Sequence, residues 1–362
     1  MDSGLAGLVV AETVLSHSDG ARDIMWVRGH TLAELVAGFG YEGAVGLLWE
    51  DFAGERLDRD IVRARLGKAR EAASAGLGDW LDRAGPRSIV AGVKLALAML
   101  PDDAGPSAIL ATLPVAIGAL LRRREGAPPL PPDPTLSTAA DLLRMVHAGP
   151  VEPAMAEALD TYWTALIDNG LNTSAFTARV IASSRASLAS AALGAYCAFT
   201  GPLHGGAPGP TLDMLDEAAA SGDVAAWAER KLAAGGRLMG FGHRVFKDGD
   251  PRALILRDAL RRLGDRLGPA AGRLAFAAKV ERSVAAAFAR LKPGRPPLQP
   301  NVEINAALLL DAVGLPRDAF MPAFAVARCA GWIAHAMEQQ RQNRLVRPSS
   351  AYIGPRPEAT ET

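Results

Sequence analysis

The sequence predicts an all-α protein carrying a small N-terminal β-hairpin. Three observations lead there. From residue 31 onward, apolar residues recur at helical spacing in one segment after another. Strand-like patterning is confined to the first 30 residues, around Ser18-Asp19-Gly20. The breaks between helical segments are rich in Pro and Gly, and no fixed-period repeat runs through the chain.

Taken in order, "LVVAETVLSHSDGARDIMWV" holds two β-prone runs about the Ser18-Asp19-Gly20 turn signature. "TLAELVAGFGYEGAVGLLWEDF" follows as helix, with Thr31 able to cap and Leu32, Leu35 and Val36 on one face. Residues 59–76, 88–99, 107–124, 136–147 and 153–168 repeat the helical pattern. Within them, Ile109 to Leu121 is an apolar run of about 13 residues containing Pro114, well short of the ~20 that span a bilayer, and predicts a buried core helix. Residues 185–199, mostly small and apolar, predict a helix packed closely on all sides. "EGAPPLPPDP" (125–134) and "KPGRPPLQPNV" (292–302) predict irregular connections, and Arg347 opens an extended, Pro-punctuated tail.

The chain has 362 residues, a soft prior of two domains. With 49% apolar and 22% charged residues it can bury a large core, which excludes a disordered protein. Lys plus Arg (39) balances Asp plus Glu (39), so nothing calls for nucleic acid or an anionic membrane as partner. An anionic ligand would have to be held by locally clustered Arg. The opening Met1-Asp2-Ser3-Gly4 has no basic n-region, so no signal peptide is expected. Cys197 and Cys329 are too few for a disulfide scaffold; lying in apolar helical runs, they read as two buried thiols in a reducing cytoplasm.

Two of the six histidines lie in glycine-rich segments, His204 in "GPLHGGAPGP" and His243 in "GFGHRVFKDGDPR". Their spacing matches no metal motif. Arg244, Lys247 and Arg252 surround His243. Arg328 shares a helix face with Trp332 and His335, and Arg347 opens the tail. Arg binds carboxylates in bidentate fashion, so this set suits a di- or tricarboxylate ligand. Glu303 is a single carboxylate at the start of an apolar helix; it is either a residue favoured by the helix dipole or a general base. Two histidines and one carboxylate suit proton abstraction beside a carbonyl, with neutral imidazoles stabilising the oxyanion.

Four blocks then resemble the signature blocks of citrate synthases: "NTSAFTARVIASSRASLASAALGAYCAFTGPLHGGAPG", "GFGHRVFKDGDPRA", "NVEINAALLLDAVGLP" and "RCAGWIAHAMEQQRQNRLVRPSSAYIGP". The N-terminal hairpin and first helix are similar to that family's opening, so the resemblance spans nearly the whole chain. It implies a helical homodimer. In each subunit, residues 1–208 would form the first part of a large domain, 209–320 a small domain closing over the substrates, and 321–362 the return to the large domain with the tail. It implies condensation of acetyl-CoA with oxaloacetate through an enolate or enol, and hydrolysis of the citryl thioester, with CoA as co-substrate and no permanently bound cofactor. His204 would hydrogen-bond the thioester carbonyl and His243 would polarise the ketone. Arg252, Arg328 and Arg347 would bind the substrate carboxylates, Arg347 reaching in from the partner subunit. Gly240, Phe241 and Gly242, with Arg244 and Lys247, would lie where the family holds CoA.

Two positions depart from the family pattern. Glu303 stands where the family has the aspartate of "NVD". "DNGLNTS" puts Asn169 where the family has a histidine contacting oxaloacetate. Glu reaches one methylene further than Asp, and Asn cannot become cationic. Three readings follow: a citrate-synthase-type enzyme, a paralogue with shifted substrates such as a 2-methylcitrate synthase, or a catalytically weak homologue that binds CoA or dicarboxylates as a sensor or partner subunit.

Overall fold

The structure is a computed structural model that describes residues 5, 7–20, 22–85, 88–205, 208–236, 238–242, 250–264, 269–296 and 298–355. Three short strands open it: β1 (Ser16–Asp19), β2 (Ile24–Val27) and β3 (His30–Thr31), antiparallel in the order β1-β2-β3. The hairpin is present, but its turn falls later than the sequence signature suggested. Ser18 and Asp19 pair with Met25 and Ile24, so the reversal comes after Asp19. Burial fixes this register: Leu15, Met25 and Val27 are all turned inward, and a slip of one residue would move them to the solvent face.

The helices are α1 (Leu32–Gly38), α2 (Gly40–Ala53), α3 (Arg59–Ala75), α4 (Leu81–Ala84), α5 (Ile89–Ala98), α6 (Pro106–Arg124), α7 (Thr138–His147) and α8 (Pro153–Ala165). There follow α9 (Thr173–Ser183), α10 (Leu188–Phe199), α11 (Pro208–Ala220), α12 (Val224–Ala233), α13 (Pro251–Gly264), α14 (Pro269–Leu291), α15 (Val302–Ala312) and α16 (Phe320–Gln342). Every helix expected from periodicity is there, within a few residues at its ends. Thr31 caps α1 in a capping box with Glu34.

The segment read as one helix from Thr31 is two. The chain breaks at Phe39–Gly40, where Gly40 has φ +61 and its absent Cβ would lie 2.3 Å from the Arg59 guanidinium. The Tyr41 amide donates to the Asp160 carboxylate of α8, which fixes the start of α2.

Helix α6 buries all thirteen residues from Ile109 to Leu121, as its unbroken apolar run requires. Helix α16 is buried along most of its length and packs against α2, α6, α8, α9 and α10, so it is the axis of the fold. No helix among the described residues is long and apolar enough to cross a membrane.

The 125–134 stretch carries no helix, as expected. It is pinned to α3 by close approach at Gly67, where a Cβ would stand 2.2 Å from the Pro134 carbonyl oxygen. Beside it the buried Arg70 donates to Asp141 of α7 and to the Leu136 carbonyl.

Two expectations need correcting. Helix α10 is not packed on all sides: Ala191, Ala192, Ala195, Tyr196 and Phe199 face α5, α9 and α16, while Ser190, Leu193 and Ala198 are half-buried and Cys197 is exposed in the single chain. Cys329 on α16, by contrast, is buried. Helical rotation places Cys197 one position past the inward-facing Tyr196, and an apolar sequence alone does not reveal which face is covered.

Candidate active site

The ends of several elements converge on a cavity of about 180 Å³. Asn169 comes from the loop between α8 and α9, His204 from the turn after α10, Arg252 from the start of α13, Glu303 from the start of α15, and Arg328 from the middle of α16. Phe199 and Phe324 supply apolar wall. Residues more than 150 positions apart in sequence are thus brought together in one hollow.

Glu303 is set by its cap. Asn301 accepts the Glu303 amide at 2.9 Å and donates through Nδ2 to the Gly242 carbonyl, also at 2.9 Å. The Asn301 amide donates to the Gly240 carbonyl and the Gly242 amide to the Gln299 carbonyl. The Gly240-Phe241-Gly242 segment is thereby laced to the N-terminus of α15. Gly240 needs its glycine, since φ is +81 and a Cβ would sit 2.4 Å from the Ile304 side chain. A helix N-terminus favours an ionised carboxylate, but here burial outweighs it. Glu303 is pushed up to about 7, chiefly by desolvation with the Asp250 charge adding, while Arg252 and Arg328 pull it down. It is a carboxylate poised near neutrality.

His204 is held through its ring edge. Nε2 lies 2.8 Å from Ser174 Oγ and 3.3 Å from the Ser174 amide, at the first turn of α9. Asn172 Oδ1 already accepts the amides of Ser174 and Ala175, and Trp332 Nε1 donates to Ser174 Oγ at 2.9 Å. Ser174 Oγ also donates to Asn172 Oδ1 at 2.8 Å, and the Ser174 amide directed at His204 Nε2 makes that nitrogen an acceptor, which leaves the ring's own proton on Nδ1. Burial, and secondarily the Arg328 charge, lower His204 to about 4, so the imidazole is neutral at physiological pH.

Arg328 is buried, with its guanidinium 5.0 Å from the Phe324 ring centroid. Its Nε has no hydrogen-bond partner among the described residues. Burial and the neighbouring Arg252 charge lower it to about 10. Arg252 is buried too, with Nε and Nη2 both 2.9 Å from the Asp250 carboxylate. Two cations thus line one hollow, one with an N–H that has no partner among the described residues, an arrangement that suits an anion.

Of the residues singled out from sequence, His204, Glu303, Arg252, Arg328 and Asn169 meet here. Trp332 and His335 share the Arg328 face as expected but point into hydrogen bonds behind the cavity. Arg347 of the same chain is elsewhere, exposed on the tail against the N-terminal segment. His243, Arg244 and Lys247 lie outside the described residues. Sequence reasoning missed Ser174, Asp250 and Asn301. Asn301 was detectable as an Asn preceding an apolar helix; Ser174 carried no signal. It also missed Tyr162, fully buried with a hydroxyl lacking a partner and close enough to Glu303 and Arg328 for their charges to act on its phenol. No cluster of three or more His, Cys, Asp or Glu able to hold a metal occurs among the described residues.

Comparison with known proteins identifies the family. Residues 4–349 match the family described as citrate synthase, C-terminal domain. A Mycobacterium tuberculosis relative is 44% identical over 214 residues, a match that covers 59% of this chain and only about half, 56%, of that one. The citrate synthase of Haloferax volcanii is 34% identical, covering 97% of this chain and 95% of its own. The 2-methylcitrate synthase of M. tuberculosis is 31% identical, with 97% and 90% covered. Among solved structures, citrate synthase from Thermotoga maritima superposes with a TM-score of 0.82 at 27% identity, covering 98% of this chain and 96% of that one. The fold and the similarity over nearly the whole sequence agree, and the chain belongs to the citrate synthase family.

Proposed function

We propose that the protein condenses acetyl-CoA with oxaloacetate to give citrate and CoA. One observation carries this reading most. The buried, incompletely bonded Arg328 lies beside Arg252 in the same hollow as a carboxylate raised to about 7 and a histidine that stays neutral. An anion-binding pair, a base and an oxyanion donor are the parts that enolisation and carbon–carbon bond formation require.

In this reading Glu303 takes a proton from the acetyl methyl of the thioester. His204 donates from Nδ1 to the thioester oxygen, so the enol forms without a full negative charge in a dry site. Arg252 and Arg328, with Arg347 of the partner subunit, hold the oxaloacetate carboxylates, and Asn169 donates a hydrogen bond to the same substrate. His243 polarises the ketone. The enol carbon bonds to the ketone carbon as the enol proton returns to His204, and the ketone oxygen takes up a proton donated by His243. Water then cleaves the citryl thioester, releasing citrate and CoA. Gly240, Phe241 and Gly242, with Arg244 and Lys247, form the CoA seat.

The assembly we propose is a homodimer. The exposed Leu8, Val9, Tyr352 and Ile353 at the two ends of the chain support it, because such apolar surface calls for a partner. Residues 1–208 and 321–362 make the large domain and 209–320 the smaller one, in a cytoplasmic enzyme with no permanently bound cofactor.

A second reading, 2-methylcitrate synthase activity on propionyl-CoA, is favoured by the relative of that name at 31% identity. One methylene changes binding by only ~1–3 kcal/mol, so the acyl pocket alone does not decide. The test is thiol release by the purified protein from acetyl-CoA or propionyl-CoA, each with and without oxaloacetate. Faster oxaloacetate-dependent release from acetyl-CoA supports the first reading and faster release from propionyl-CoA the second. Oxaloacetate-independent release, or none, overturns both.

A further inference from the structure

Asn169 is gripped from outside its own loop. Ser16 Oγ, at the start of β1, donates to Asp168 Oδ2 at 2.5 Å and accepts the Gly170 amide at 2.8 Å. One hydroxyl thus bonds the residues on both sides of Asn169. Gly170 adopts φ +56, a bend that turns the chain at this point.

Behind the hydroxyl stands a buried relay. Asp168 Oδ2 also faces His335 Nε2 at 3.3 Å. Arg179 Nε donates to His335 Nδ1 at 3.0 Å, which makes Nδ1 an acceptor and leaves the proton on Nε2, directed at Asp168. Arg179 in turn donates to Gln339 Oε1 at 3.1 Å and pairs with Glu338, whose Oε1 accepts the Val14 amide at 2.9 Å. Asp168, Arg179 and His335 are at most 1% exposed, so the relay is dry and its members have few alternative partners. It ties the entry to β1, the middle of α9 and the last turns of α16 to a loop whose one cavity-lining side chain is Asn169. The network is thus a chain of buried hydrogen bonds closed by the Arg179–Glu338 ion pair.

We propose that Ser16 is a positioning residue: with Asp168 and His335 it fixes the side chain of Asn169 for binding the oxo dicarboxylate. This rests on the reading that the cavity takes oxaloacetate. It gives the N-terminal hairpin, distant in sequence from every other site residue, a part in substrate binding. It also explains how a short uncharged side chain at position 169 can serve the site. Asn is short and uncharged and acts only through directional hydrogen bonds of its carboxamide, so its backbone has to be held more firmly than that of a longer, cationic residue.

The test is titration calorimetry of oxaloacetate and, separately, of acetyl-CoA into full-length wild type, Ser16→Ala and Ser16→Thr. The expected result is a rise of about tenfold in the oxaloacetate Kd for Ser16→Ala, the size of one or two lost net hydrogen bonds, with acetyl-CoA binding unchanged. Ser16→Thr retains the hydroxyl and is expected to return the oxaloacetate Kd to within about twofold of wild type, which general loosening of the fold would not do. Wild-type affinity in Ser16→Ala, or equal weakening toward both ligands without rescue by Thr, overturns the clamp alone. A wild type that binds no oxaloacetate overturns the reading of the cavity on which it rests.

Discussion

At the residue scale the site shows opposed shifts of two neighbouring groups. Burial raises the Glu303 carboxyl to about 7 and lowers the His204 imidazole to about 4, so a base and a neutral hydrogen-bond donor coexist at physiological pH. Turnover is therefore expected to climb with pH through about 7 as Glu303 ionises; a flat profile from pH 6 to 8 would argue against Glu303 as the base. The same shift bears on stability. Because the folded state holds this proton more tightly than the unfolded chain, the stability it contributes is present at acid pH and is lost as pH rises through about 7. Glu303→Gln should flatten that decline in urea midpoints compared at pH 5 and pH 8, and an identical decline in variant and wild type would contradict the assignment. Arg328 makes the complementary prediction. In the proposed function its buried, incompletely bonded guanidinium would serve the ligand at a cost to the fold. Arg328→Met is expected to raise the oxaloacetate KM at least about tenfold, the worth of a charge-assisted pair, without lowering the thermal midpoint. A large fall in the midpoint with near-normal KM would make Arg328 structural.

At the scale of elements, position in the sequence determined what could be foreseen. Helix α6 was legible because its thirteen apolar residues leave it no exposed face. Helix α10 misled because small apolar residues pack against helices of the same chain or of another equally well, and only the tertiary arrangement reveals Cys197 as exposed. The break at Gly40 was hidden in a continuous periodic pattern; its cause, the Arg59 and Asp160 side chains, lies far along the chain. Site residues within distinctive local segments were readable: His204 among glycines, Glu303 after a Pro-rich loop, Arg252 after "DGDP". Ser16, Asp168 and Ser174 were not, because they act through bonds to residues 30 or more positions away. Gly331 of α16 belongs to the same class. Its Cβ would stand 2.6 Å from Asp168 Oδ1 and 2.8 Å from the Ile167 carbonyl, so the helix approaches the loop only because this residue has no side chain. Gly331→Ala should destabilise the protein by ~1–3 kcal/mol in urea unfolding, as overpacked sites do. A neutral or stabilising outcome would mean that the loop is free to move away.

At the scale of the whole molecule the site draws on elements from residue 16 to residue 328, and its proposed last arginine comes from a second copy. Light scattering at micromolar protein is expected to give twice the 37.8 kDa chain mass. A fully active monomer would defeat the shared site. The family membership fixes the architecture, while Glu303 and Asn169 make the chemistry this protein's own. Glu303→Asp separates an adapted base from a displaced one. If the cavity is fitted to Glu, the shorter arm misses the proton and turnover falls; about 1 Å of misplacement can cost ~10²-fold. The most direct measurement of the central claim is exchange of the acetyl-CoA methyl hydrogens with deuterated solvent, followed by mass spectrometry in wild type and Glu303→Gln. Exchange in the wild type that is abolished by Glu303→Gln, with acetyl-CoA still bound, is the predicted result. Exchange persisting undiminished in Glu303→Gln would contradict it, and the proton would then have another acceptor.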